Sequence, residues 1–172
     1  MGHNISGVLL KGNFDAKIAV AFDLQFVSVG FDITLFWLNI HYTEYWSKKL
    51  NVPGILEAPD QVDEIRLLFP SERVVAHMMA LITATSTPLY AIIVTDYFGG
   101  IGTQAAALYK GETLITDDEH AFDYGSINQV LRGLGVKATR GLDEFDTIGL
   151  SNYRSIPYDF LEVIEKYPEC SD

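Results

Sequence analysis

Cysteine is nearly missing from this chain. Cys170 is the only one, so neither an intrachain disulfide nor a zinc site built on several thiolates can form. Lysine and arginine are also sparse: 12 of them stand against 23 Asp and Glu, a formal net charge of −11. No basic stripe of the kind that phosphate contacts need is visible, which disfavours nucleic acid as a ligand.

A long unbroken apolar run is absent too. The most apolar stretch, AKIAVAFDLQFVSVGFDITLFWLNI (residues 16–40), is interrupted by Lys17, Asp23 and Asp32. Each such charge costs roughly 2.5–3.5 kcal/mol near a bilayer centre, so the stretch reads as protein core and no membrane contact is expected. The opening MGHNISGVLL lacks the basic start and the long apolar segment of a secretory signal, and a cytoplasmic location is expected.

A complete phosphate-binding glycine motif is the third absence. Residues 90–115, YAIIVTDYFGGIGTQAAALYKGETLI, contain G-I-G-T-Q-A, which is close to a dinucleotide fingerprint. That fingerprint needs its glycines to open a helix that crosses back to a parallel strand, within a unit of about 30 residues. Only eight residues, Thr103 to Lys110, separate Gly102 from Gly111, and Lys110-Gly111 suits a tight turn between strands. The passage therefore reads as an antiparallel meander over 91–98, 104–109 and 112–115, with Gly99, Gly100 and Gly102 as a bend or bulge. No cofactor is expected. No Gly-x-Ser-x-Gly elbow accompanies it, and Cys170 lies in a poorly anchored tail, so nucleophilic catalysis lacks a nucleophile.

What is present is enough to fold. The chain has 172 residues, 48% of them hydrophobic, and no low-complexity tract or internal repeat. A single globular domain over 1–172 follows, because one core is comfortable at that size and a split would leave two marginal pieces.

Val8, Leu9 and Leu10 between Gly7 and Gly12 predict a short buried strand. Asp15 can cap a brief helix through Leu24, although that composition suits a buried strand equally. From Gln25 the pattern is that of a strand: Phe31, Ile33, Leu35 and Trp37 alternate with Asp32 and Thr34, the period of a half-buried strand, with Gly30 as a bend. Thr43 is placed to cap EYWSKKL, whose last turn carries Lys48 and Lys49. Ser71 opens a helix with Val74, Val75, Met78, Leu81 and Ile82 on one stripe. Ser126 caps INQVLRGLG, where Ile127, Val130, Leu131 and Leu134 follow the i, i+3, i+4, i+7 spacing and Gly135 supplies the stop. A further helix begins near Pro157. Together these elements predict an α+β fold, a largely antiparallel sheet of about five strands with helices packed on one face.

Two constellations could carry function. The first is ionisable: Asp117, Asp118, Glu119, His120 and Asp123 crowd one segment, and Asp96 ends a preceding strand. Carboxylates beside an imidazole suit manganese, iron or zinc, so Asp96, Asp118 and His120 are the candidate ligands of a small metal-dependent hydrolase drawing on residues 96–123. The spacing matches no calcium loop, and a solvated loop is the plainer reading. His41 and His77 are candidate general bases by residue type, with packing or surface roles as the alternative.

The second constellation is acidic. From Gly111 to Asp172 there are 13 Asp or Glu against 5 Lys or Arg, so most of the charge lies in the last third. There Asp143, Glu144 and Asp146 surround Phe145, an apolar anchor ringed by carboxylates, and Tyr97 beside the glycine bend can share a recognition surface with it. Net charge bears on solubility and association rather than fold. The leading expectation is a non-catalytic acidic binding protein, an inhibitor or immunity-type protein that neutralises a basic protein partner.

Overall fold

The computed structural model describes residues 3–56, 71–98, 101–115 and 126–167. Its strands are β1 (His3–Lys11), β2 (Gln25–Gly30), β3 (Ile33–Trp37), β4 (Leu89–Phe98), β5 (Ile101–Lys110) and β6 (Thr113–Leu114). They form one sheet in the order β2-β3-β1-β4-β5-β6, antiparallel at every junction. The helices are α1 (Ala16–Ala21), α2 (Ile40–Leu50), α3 (Arg73–Thr83), α4 (Ser126–Gly133), α5 (Glu144–Thr147) and α6 (Tyr158–Ile164).

The α+β class and the antiparallel meander of β4, β5 and β6 are as the sequence predicts. The sheet has six strands, however, and helices lie on both of its faces rather than on one. Successive side chains of a strand point to opposite faces. In β1, Val8 and Leu10 join a core with α2 and α3, whereas Ile5 and Leu9 join a second core with α4. The unbroken apolar run of that strand is the mark of burial on both faces.

The same double burial corrects the reading of the β3 segment. All five of its residues are buried, Thr34 and Phe36 included, so it is not half-wet. Asp32 lies outside the strand: Phe31 and Asp32 both take left-handed backbone, at φ 54° and 56°, in a two-residue turn that joins β2 to β3.

Side-chain caps start α1 and α2, whereas α3 starts after Glu72 with no side-chain cap and Ser71 lies outside it. The open question at Asp15 resolves as a helix, with its carboxylate accepting from the N–H groups of Lys17 at 2.8 Å and Ile18 at 3.3 Å. In α2 the cap is Asn39, whose side chain accepts from Tyr42 N at 2.8 Å, not Thr43. The Thr43 hydroxyl is fully buried and donates back to the Ile40 carbonyl at 2.9 Å. On α3 the buried stripe holds Val74, Val75, Met78, Met79 and Ile82, while Leu81 is 40% exposed. The stripe centres on Val75 and Ile82, which leaves Leu81 at its solvent edge.

In α4 the spacing is realised in full: Ile127, Val130, Leu131 and Leu134 are all buried. This helix sits close on the sheet, since a Cβ at Gly133 would come within 2.4 Å of Leu108 Cδ2. Pro157 occupies the N-cap of α6, one place before the first helical residue.

Candidate functional site

A cleft of about 220 Å³ opens where the α4-side core ends. Its floor follows from strand register. On that face β4 presents Ile93, Thr95 and Tyr97 in turn, opposite Ala106, Gln104 and Gly102 of β5, and His3 of β1 pairs with Tyr97. Apolar side chains therefore give way to Thr95 and Gln104, and then to His3 and Tyr97. Ile127 and Asn128 of α4, with Asp143 and Phe145 at the start of α5, form the wall.

Hydrogen bonds hold the wall in place. The Asp143 carboxylate caps α5 by accepting from Asp146 N at 2.8 Å, and it also accepts from Asn128 Nδ2 at 3.0 Å. Asn128 Oδ1 in turn accepts from Phe145 N at 2.8 Å, so this one amide ties α4 to α5. On the floor, Thr95 is 2% exposed and its hydroxyl oxygen accepts from Ile5 N at 3.0 Å. His3 Nδ1 lies 3.0 Å from the Tyr153 carbonyl. A carbonyl only accepts, so Nδ1 is the donor of this contact. The imidazole meets the Phe145 ring edge to face, at 5.8 Å between centroids.

Of the residues singled out from sequence, Tyr97, Asp143 and Phe145 come together in this cleft. Asp146 is exposed on α5, one residue beyond Phe145. Glu144 departs from the expected surface ring. It is 8% exposed, and both of its carboxylate oxygens lie 3.0 Å from Arg132 Nη1 of α4. One turn of helix separates the three carboxylates angularly, so the central one faces the core and needs a cation there. Phe145 is half-buried rather than a free anchor.

The ionisable constellation is not assembled among the described residues. Asp96 is exposed and sits on the opposite face of β4 from Thr95 and Tyr97. Asp118 and His120 lie outside the described residues, as do Gly99 and Gly100. Among the described residues no group of three or more His, Cys, Asp or Glu is placed to hold a metal ion. His41 starts α2 and His77 lies on α3, and neither lines the cleft.

From Ile101 onward the passage G-I-G-T-Q-A lies in β5, not in a helix. Gly102 is required there by close approach, because a Cβ would fall 2.1 Å from the Asp96 carbonyl oxygen. No helix among the described residues is long and apolar enough to cross a membrane.

His3, Thr95, Gln104 and Asn128 escaped the sequence reading. Alternation along β4 and β5 carries a signal for Thr95 and Gln104, since residues of one parity share the face of Tyr97. Nothing local marks His3 or Asn128, which reach the cleft through pairing across the sheet and through helix docking.

No family model, curated protein or solved structure matches this chain.

Proposed function

We propose that the chain is a non-catalytic acidic binding protein that engages a basic protein partner through the surface around α5, as an inhibitor or immunity-type protein does. The observation that supports this reading is the state of two carboxylates. Asp143, which lines the cleft, and Asp146, three residues on in α5, are both exposed, and neither is ion-paired to a Lys or Arg among the described residues. They add to a net charge of −11. Exposed charges of this kind mainly raise the association rate, and salt screens them over about 8 Å at physiological ionic strength.

The test is capture from a native lysate with the wild-type chain and with Asp146→Lys as baits. A basic protein enriched by the first is then purified and its association rate measured with both. Asp146→Lys should slow association at low salt, and the difference should shrink as salt is added, while folding stability stays within about 0.5 kcal/mol, as for surface changes generally. Equal rates at low salt, or failure of every captured basic protein to bind once purified, would remove this reading.

A further inference from the structure

We infer that the cleft between β4, β5, α4 and α5 receives a single cationic side chain, the terminal group of a lysine or arginine on the partner. This inference rests on the binding reading above and names the chemistry of its contact.

Size comes first. At about 220 Å³ the cleft is smaller than the roughly 300–1,000 Å³ of pockets that hold drug-sized ligands, so it suits one side chain. Charge comes next. Among the described residues the cleft is lined by one carboxylate, Asp143, and by no Lys or Arg. The N-terminus of α4 lies at the wall and contributes positive potential, but Asp143 more than offsets it, as a full charge against about half of one. An anion entering here meets Asp143; a cation is drawn to it.

The hydrogen-bonding inventory points the same way. Asn128 already commits its Nδ2 to Asp143 and its Oδ1 to Phe145 N. His3 commits Nδ1–H to the Tyr153 carbonyl, which leaves Nε2 as the other polar atom of its ring. Gln104 adds a side-chain amide that turns its oxygen or its nitrogen to suit. Tyr97 and Phe145 supply two aromatic rings, which attract a guanidinium or ammonium through their quadrupoles.

Asp143 also caps α5, and a purely structural role must be separated from a binding one. Asn serves as an N-cap about as well as Asp, so Asp143→Asn keeps the bond from Asp146 N on its one oxygen and removes the charge, at the loss of the exposed bond from Asn128 Nδ2. The experiment is an NMR titration of the full chain with N-acetyl-arginine methylamide and N-acetyl-lysine methylamide, using the neutral N-acetyl-norleucine methylamide as control. Saturable shifts at the amides of Thr95, Tyr97, Gln104 and Asn128 are expected with one or both cationic probes and not with the neutral one. Asp143→Asn should weaken that binding about tenfold, the loss of a charge-assisted hydrogen bond, while the chain stays folded at the temperature of the titration, as its amide spectrum shows.

Absence of saturable shifts at those amides, equal shifts with the neutral probe, or unchanged affinity in Asp143→Asn would overturn the inference. The two readings fail separately. If the probe binds as expected while no basic protein does, the cleft assignment stands and the protein partner falls. If Asp146→Lys slows a basic partner while the cleft ignores both cationic probes, the partner stands and the cleft assignment falls.

Discussion

Arg132 holds Glu144 across the gap between α4 and α5, with Nη1 3.0 Å from each carboxylate oxygen. The Arg132 side chain is 55% exposed and that of Glu144 only 10%. The pair is therefore unequal. Removing the cation strands a carboxylate that has little access to water, whereas removing the carboxylate leaves a cation that solvent can hydrate.

Arg132→Met should cost about 1–3 kcal/mol, less than the 3–5 of a pair buried on both sides, because water screens the arginine end. Glu144→Gln should cost no more than about 1 kcal/mol. Urea unfolding of the two variants measures the order. Equal losses would mean that the carboxylate is solvated after all. Glu144→Gln should also leave association with any basic partner unaltered, since that charge faces inward.

Leu131 is fully buried at the centre of the α4 contact with the sheet. Leu131→Ala should destabilise by about 2–5 kcal/mol, as truncations in packed cores do. Thermal or urea unfolding gives the value, and a loss well under about 1 kcal/mol would place the helix on another face.

Ala84 ends α3 with left-handed backbone, at φ 53°. That conformation costs a residue with a Cβ about 1–2 kcal/mol, and glycine forfeits about 0.5–1 kcal/mol through its looser unfolded chain. Ala84→Gly should thus stabilise by about 0.5 kcal/mol, the difference of those two effects. Ala84 is exposed, so no packing change obscures the result. A lower melting temperature for the variant would contradict it.

Alkaline pH should unfold the protein. The phenols of Tyr42 and Tyr90 are held well above the usual tyrosine range, first by burial. For Tyr42 the neighbouring Tyr167 and Asp23 add to the effect, and for Tyr90 the stacked Tyr109 does. Both hydroxyls donate to carbonyls, that of Tyr42 to Phe22 at 2.7 Å and that of Tyr90 to Gly111 at 2.8 Å. A group whose pKa is raised by folding contributes stability that is intact below its unfolded value, about 10 for tyrosine, and is lost as pH rises beyond it. The urea midpoint should hold steady from about pH 7 to 9 and fall steeply above 10, with Tyr42 and Tyr90 ionising only as the chain unfolds. Ionisation of Tyr42 or Tyr90 themselves, followed by their ring resonances, in a chain that stays folded would show that these two tyrosines reach solvent.

The α4 face, the meander and the end of the fingerprint idea were legible in the sequence because each depends on neighbours a few residues apart. A helical repeat at Ile127, Val130, Leu131 and Leu134, or eight residues between Gly102 and Gly111, says what the local backbone can do. Alternation in β3 was misread for a related reason. Local pattern reports contrast between two faces, so Thr34 reads as the wet side of the strand although both faces are buried.

Tertiary structure alone decided which carboxylate of Asp143, Glu144 and Asp146 turns inward. That depends on where Arg132 arrives when α4 docks on β5, and burial of a charge is settled by the cation beside it rather than by its own neighbours in sequence. The cleft was decided in the same way. His3 stands opposite Tyr97 only through the register of β1 on β4, and Asn128 meets Asp143 only because two helices share one face of the sheet. Such meetings bring together residues far apart in the chain, and it is the packing of the two cores that selects them.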